Sequence, residues 1–509
     1  MSTWNEGYTT DVQYTSFFHA ELAPSHIAFA AAANGFRAPD MSGAFAYCEL
    51  GSGQGVTLNG LAAMHPEARF WGFDFNPAQI ANAQRMADAA KLANAHFRDW
   101  SFAQAIEHAD ELPRFDVIAL HGILSWVSDE NRAEIIRFID RTLKPGGVVY
   151  ASYNCLPGWT QIAPYRHLAR QHYLRHPGRS DLHVPRILEF SDAFAELGGA
   201  YFKVNPTVSL RLDQMRKQPA AYFAHEFLNA NWRAFYVDEI AREMSGARLD
   251  FMASATLIEN VPGASLPPGT PAFLQQHAAE DVIWQELAKD FACNKMFRRD
   301  LYARGVNTMS GPEQAAILGG FRFVLTVPRE AVKLTFAGPM GEANGAPAVY
   351  EPIVDRLMQG PATLPELVAA LPDKNGPNAL QAITMLLHSR QAVMYAAKVD
   401  PKPARALNKV IAESYFQGSN YGIILAPAAR QALPANGADL GLLAAALEGK
   451  ARSVAEAAAH VSDRLRIAGR APQVDGQALQ GAAAVEHLAA QYAEGFDGKM
   501  TIWKALGIL

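Results

Sequence analysis

The chain has 509 residues, half of them apolar and 19% charged, with a formal net charge of −5. That length provides for roughly three domains of ~150 residues, and the acidic balance weighs against broad electrostatic capture of nucleic acid or of an anionic membrane surface. Cys48, Cys155 and Cys293 stand too far apart for metal-ligand or redox spacing, and no apolar run approaches the ~20 residues of a membrane span. The polar, aromatic start MSTWNEGYTTDVQYTSFF lacks a signal-peptide layout. The expectation is a cytoplasmic protein that neither enters a membrane nor holds a metal.

From Phe45 the chain alternates strand and helix. AFAYCEL reads as a short buried strand, followed by the glycine loop GSGQG and a helix, VTLNGLAAMH. ARFWGFD is a second strand ending in Asp74. NPAQIANAQRMADAAKL is a helix with Asn76 as N-cap and Pro77 in the first helical position. AHFRD and FDVIALH are the third and fourth strands. SDENRAEIIRFIDRTLKPGG is a capped helix with Ile135, Ile136, Ile139 and Leu143 on its buried face, expected to stop at Lys144-Pro145-Gly146-Gly147. GVVYASYN is a fifth strand. Continuous apolar strands separated by helices imply a doubly wound, mainly parallel sheet covered on both faces.

Later elements are more widely spaced. TQIAPYRHLARQHYLRH, ILEFSDAFAELGGAYF and QPAAYFAHEFLN read as helices, so residues 157–232 form a folded insertion, too long for a bare loop. A strand is expected near 249–256, and KMFRRDLYAR reads as a last, antiparallel strand. Residues 306–348 are glycine- and proline-rich connectors around FRFVLTV. Residues 349–400 run helix, turn, helix, loop, helix, strand, the order of a winged-helix module. Few basic residues accompany that order, which favours protein contact or homodimer formation over nucleic acid. Residues 401–509 are alanine-rich helices without visible chemistry.

Ligands of open parallel sheets lie beyond the carboxyl ends of the strands. The candidates are therefore Glu49, Gly51, Ser52, Gly53, Gly55, Asp74, Phe75, Asp99, Trp100, His121, Tyr153 and Asn154. A glycine loop with Asp74 beyond it suits a ribose-bearing cofactor, a device that NAD proteins share. Glu49, two residues before the first glycine, would attract a cationic ligand and repel a pyrophosphate. Asp99 is placed to take the exocyclic amine of an adenine.

With these features the chain resembles the class I S-adenosylmethionine-dependent methyltransferases, over about residues 45–155. The stretches FDVIALHGILSWVSDENR, YASYNCLPGW and AHEFLNANWRAFYVDEI are similar to the members that carry a regulatory domain, among them rickettsial lysine methyltransferases acting on outer-membrane proteins. The resemblance implies a Rossmann-like seven-stranded core and S-adenosyl-L-methionine as cofactor, with S-adenosyl-L-homocysteine as product. It implies that Glu49 to Gly55 wrap the methionine part, that Asp74 holds the ribose, and that Asp99 with Trp100 holds the adenine, the glycines staying bare so that the backbone can lie against the cofactor. It divides the chain into an N-terminal covering segment (1–44), the cofactor-binding core (45–156), a helical lid (157–232), the end of the sheet (233–305), a connector (306–348), the winged-helix-like module (349–400) and a helical domain (401–509).

Candidates near the methyl group are His121, Trp126, Tyr14, Tyr153 with Asn154, and the lid pair His225-Glu226. His121 reads equally as a strand-end histidine bonded to backbone, and Trp126 as a packing residue. The acceptor stays open between a protein lysine, a small-molecule nitrogen or oxygen, and no acceptor at all in a cofactor-binding regulator.

Overall fold

The computed structural model describes residues 7–12, 17–176, 178–474 and 477–509. At its centre lies a seven-stranded sheet: β1 (Ala46–Leu50), β2 (Arg69–Phe73), β3 (Ala95–Arg98), β4 (Phe115–Leu120), β5 (Leu143–Asn154), β6 (Leu249–Ser254) and β7 (Phe297–Arg304). The strands lie in the order β3-β2-β1-β4-β5-β7-β6. Neighbours from β3 to β5 pair in parallel, and β7 runs antiparallel to both β5 and β6. The late sixth strand and the antiparallel last one are thus as the sequence predicts.

Helices α1 (Pro24–Ala33), α2 (Val56–Met64), α3 (Pro77–Ala89), α4 (Phe102–Glu107) and α5 (Asp129–Thr142) accompany these strands. Asn76 caps α3 by accepting the Ala78 N–H, with Pro77 at the first position where no donor is needed. In α5 the buried face is Ile135, Phe138 and Ile139, while Ile136 is half-buried. Leu143 already belongs to β5, so the sequence Lys144-Pro145-Gly146-Gly147 opens a strand instead of merely ending the helix. Gly146 takes a left-handed φ of +74°, and the β4–β5 register shifts between Phe115 and Val117, so Pro145 is accommodated at an irregular strand end.

The insertion after β5 folds as α6 (Ala163–Leu174), α7 (Ser180–Glu196), α8 (Ala200–Val204), α9 (Pro206–Arg216) and α10 (Ala220–Phe227). It has its own core, built from Trp159, Tyr165, Ile187, Val208, Phe223 and Phe227 among others. The leading segment lies along this lid: the Thr9 N–H donates to Asn229 Oδ1 at 2.7 Å and the Ala230 N–H to the Gly7 carbonyl at 2.9 Å. Helix α11 (Val237–Ser245) then leads into β6.

Beyond β7, strand Arg322–Leu325 sits between Ala362–Thr363 and Ala392–Met394 in a three-stranded antiparallel sheet. Helices Pro347–Met358, Leu364–Ala370 and Gly376–His388 accompany it. The strand expected inside the connector therefore pairs with residues of the following module. Helix Lys402–Phe416 packs on α2 and α3, and alanine-rich helices complete the chain. One apolar core runs from Phe18 through α2 to Ile508, and a second fills the other face of the sheet. Among the described residues no helix is long and apolar enough to cross a membrane.

Candidate functional site

A cavity of about 830 Å³ opens over the carboxyl ends of β1, β2, β4 and β5, roofed by the lid. A shallower opening of about 670 Å³ lies by the other end of the sheet, near Arg114, Arg248 and Arg304. There Asp140 is ion-paired with both Arg248 and Arg304. Strand direction favours the larger cavity as the site.

Its floor is the β1–α2 loop. Gly51, Gly53 and Gly55 have φ of +71°, +52° and +68°, a region costly for any residue with a Cβ. At Gly51 an added Cβ would stand 2.1 Å from Ile123 Cδ1, and at Gly55 it would stand 2.6 Å from Ala83 Cβ and 2.9 Å from Phe97. The protein's own atoms thus exclude side chains at these two positions.

Two carboxylates converge beside the loop. Asp74 is 8% exposed and accepts the Gly53 N–H at 3.0 Å and the Asn76 N–H at 2.9 Å. Burial nevertheless raises its pKa to about 6. Glu49 is 4% exposed; burial and the neighbouring Asp74 raise its pKa to about 8. Its Oε2 has no hydrogen-bond partner, and neither does the buried Ser52 Oγ. A buried acid kept protonated for want of a partner is a group awaiting a cation or a donor.

The walls are aromatic. Trp100 stacks with Phe73 (5.5 Å) and with His108 (4.6 Å). Tyr8 meets Phe75 edge-on at 6.0 Å and the His225 ring at 5.7 Å. His121 stacks on His19 at 3.6 Å, and its Nδ1 is 2.9 Å from the Tyr150 hydroxyl. Burial, with His19 and Arg299 nearby, holds His121 well below the ordinary histidine pKa, so it is neutral. Its partner is thus a tyrosine side chain, not the backbone. From the lid come Arg211, Gln214, Tyr222, His225 and Glu226. Burial raises the Glu226 pKa to about 7, against the opposing pull of Arg211, the Asn154 amide and Arg166.

Residues 48–149 match the model of a methyltransferase domain, and residues 219–304 match that of a predicted methyltransferase regulatory domain. The chain is 40% identical over 366 residues to the Synechocystis protein sll1526, covering 72% of this chain and 71% of that one. It is 29% identical over 294 residues to the Rickettsia prowazekii protein RP789, covering 57% of this chain and 51% of that one, about half its length. The fold is similar to that of PKMT2 from Rickettsia typhi in complex with AdoHcy, with a TM-score of 0.71 over 97% of this chain and 99% of that one at 17% identity. The chain belongs to the class I S-adenosylmethionine-dependent methyltransferases that carry a regulatory domain.

The methyltransferase cavity suits that cofactor. Two buried acids, one with an oxygen lacking a partner, stand where an ammonium and a sugar diol have complementary groups to offer, and an orphaned hydroxyl adjoins them. Of the residues singled out in the sequence, Glu49, Gly51, Ser52, Gly53, Gly55, Asp74, Phe75, Trp100, His121, Trp126, Asn154, His225 and Glu226 line the cavity. Two do not. Asp99 is exposed, one step beyond β3, and Trp100, Ser101 and Phe102 line that side instead. Tyr153 is wholly buried on the other face of β5, its hydroxyl 2.6 Å from Asp300 Oδ2 in a cluster around Arg298. Tyr14 lies outside the described residues. Among the described residues no group of three or more histidine, cysteine or carboxylate side chains is arranged to hold a metal.

Sequence reasoning did not single out Tyr8, His19, Arg211, Tyr222 or Arg299, all of which line the methyltransferase cavity. Tyr8 belongs to the aromatic leading stretch and Tyr222 to the helix carrying Glu226, so a weak signal existed for both. Arg299 has none by itself, since it enters through the antiparallel pairing of Ser152 with Arg299.

Proposed function

We propose that this methyltransferase transfers the methyl group to the side-chain amine of a protein lysine. One observation carries the reading: a half-buried carboxyl, Glu226, lines the cavity from the lid near Asn154 at the end of β5, with its pKa raised by desolvation to about 7. Near neutral pH such a group is divided between its acid and its carboxylate, which is what accepting a proton from an ammonium requires. The resemblance to lysine methyltransferases, and the AdoHcy held by the similar PKMT2 structure, support the reading.

When bound, S-adenosylmethionine supplies a methyl carbon activated by its sulfonium. On this reading Glu49 meets the ammonium of the methionine part, Asp74 the ribose hydroxyls, and Trp100 with Phe75 borders the base. Residues 45–156 form the donor site and 157–232 the lid over the acceptor, while 349–400, with its winged-helix-like element order, and 401–509 brace the core. Lysine has an ordinary pKa near 10.4. Entry into a pocket walled by Tyr8, Tyr222 and Trp126 removes water from the ammonium and lowers that value. The Glu226 carboxylate takes the proton with the Asn154 amide nearby, and neutral His121 forms wall without adding charge. Alignment and exclusion of water are the remaining contributions.

The test is methyl transfer from methyl-tritiated S-adenosylmethionine in a cell lysate, followed by hydrolysis of the protein fraction. Label recovered as methyllysine is expected, and Glu226→Gln should slow it ~10²-fold or more while donor affinity changes little. Label confined to small molecules would refute the lysine acceptor, and no label at all would favour a binding regulator.

A further inference from the structure

Of the two arginines among the described cavity-lining residues, Arg299 is engaged: it donates to Thr256 Oγ1 at 3.2 Å, and its Nε, which makes no hydrogen bond, has Glu21 at 4.0 Å. Arg211 is not. Its one described hydrogen bond is a long 3.5 Å contact to Gln214 Oε1, and its buried Nε has no partner. Among the described residues no carboxylate stands within ion-pair distance of it, although Glu226 on α10 is near enough for the Arg211 charge to pull its pKa down.

A guanidinium with spare donors in a site for a cationic amine is paradoxical, because it repels the group the site must admit. The repulsion is offset if another part of the substrate carries a negative charge. Arg211, Gln214 and Met215 are spaced as one face of α9, with Gln218 just beyond its end, and all four line the cavity. That face therefore presents one cation and two amide side chains, groups that pair with a carboxylate and with peptide main chain.

On the protein-lysine reading above, we propose that Arg211 binds a carboxylate of the acceptor polypeptide close to the target lysine, so that the enzyme selects lysines with an acidic neighbour. Glu226 and Arg211 then engage opposite charges of the same substrate segment, and Gln214 and Gln218 hold its main chain. The arrangement fixes the direction in which the segment crosses the lid.

The experiment compares amidated peptides carrying one lysine flanked by glutamate, glutamine or lysine, with a further arm in which the only carboxylate is a free C-terminus. Native enzyme, Arg211→Gln and Arg211→Glu are measured, with kcat/KM for each peptide and KM for the donor. Native enzyme should favour the glutamate-flanked peptide ~10- to 100-fold over the glutamine-flanked one. Arg211→Gln should lose that preference, its kcat/KM becoming equal for the glutamate- and glutamine-flanked peptides, while an unchanged donor KM and melting temperature report that the variant is folded. Arg211→Glu should prefer the lysine-flanked peptide. A preference confined to the C-terminal arm would assign the carboxylate to the chain end in place of a side chain. Uniform loss across peptides, or a raised donor KM with all of them, would overturn the proposal by giving Arg211 to the donor or to the reacting amine. Methylated peptides with no dependence on flanking charge would also overturn it while leaving the lysine reading intact; no methylation of any peptide would remove both.

Discussion

At the scale of single residues, the decisive feature is a pair of acids kept out of water. The raised pKa of Glu49, about 8, means the empty fold holds a proton that an unfolded chain, with a carboxyl pKa near 4.3, has released. The associated stabilisation is complete below the unfolded value and is lost as pH rises through about 8, because only the folded state keeps the proton. Pairing with an ammonium reverses the preference, so donor binding near neutral pH should release most of a proton from Glu49. Calorimetry in buffers of different ionisation enthalpy reads this directly. Glu49→Gln should abolish the release, weaken donor binding ~10-fold or more, and flatten the decline of empty-protein stability between roughly pH 5 and pH 8. Equal proton release in both proteins would exclude Glu49 from the ammonium site. Glu49 and Asp74 were legible in the sequence because each ends a strand whose direction is fixed by a following helix. Tyr153 was misplaced because consecutive strand residues face opposite ways. Only the pairing of Asn154 with Phe297 and of Tyr153 with Arg298 shows which of the two meets the cavity.

At the scale of elements, the β1–α2 loop and the lid differ in how far sequence alone describes them. The loop follows from local rules: three glycines in left-handed conformations between a buried strand and a helix. What the glycines avoid is a tertiary matter, since Ile123, Ala83 and Phe97 arrive from elsewhere in the chain. Gly51→Ala meets both an unfavourable φ, costing about 1–2 kcal/mol, and Ile123, whose Cδ1 would stand 2.1 Å and Cγ1 2.8 Å from the added Cβ. Gly53→Ala meets the same kind of φ but only the flexible end of Gln79, at 3.1 Å. Denaturant midpoints should therefore show Gly51→Ala destabilised by ~2–4 kcal/mol and Gly53→Ala by ~1 kcal/mol; equal losses would contradict the packing described at Gly51. The lid's helices were legible from their periodicity, but the way α9 and α10 turn Arg211 and Glu226 towards one space depends on the packing of their shared core.

At the scale of the molecule, the parts beyond the sheet are braces. Helix Lys402–Phe416 covers α2 and α3, Asn408 exchanges hydrogen bonds with Leu425 at 2.8 Å in each direction, and Arg430 pairs with Glu67 at 2.7 Å. The element behind the glycine loop is thereby held from outside, and the apolar core is continuous from the leading segment to the last residues. The alternation of strand and helix made the sheet readable from sequence, but these long-range contacts have no local signature. The leading segment and the lid together leave a covered space whose sheet side carries Glu49, Asp74 and Arg299 and whose lid side carries Glu226 and Arg211. A crystal structure with S-adenosylhomocysteine bound measures the consequence most directly. The ribose hydroxyls should lie on Asp74, the ammonium beside Glu49, and the sulfur should point to the space between Asn154 and Glu226. A ligand seated elsewhere, or one whose sulfur faces away from Glu226, would contradict the assignment of donor to the sheet and acceptor to the lid.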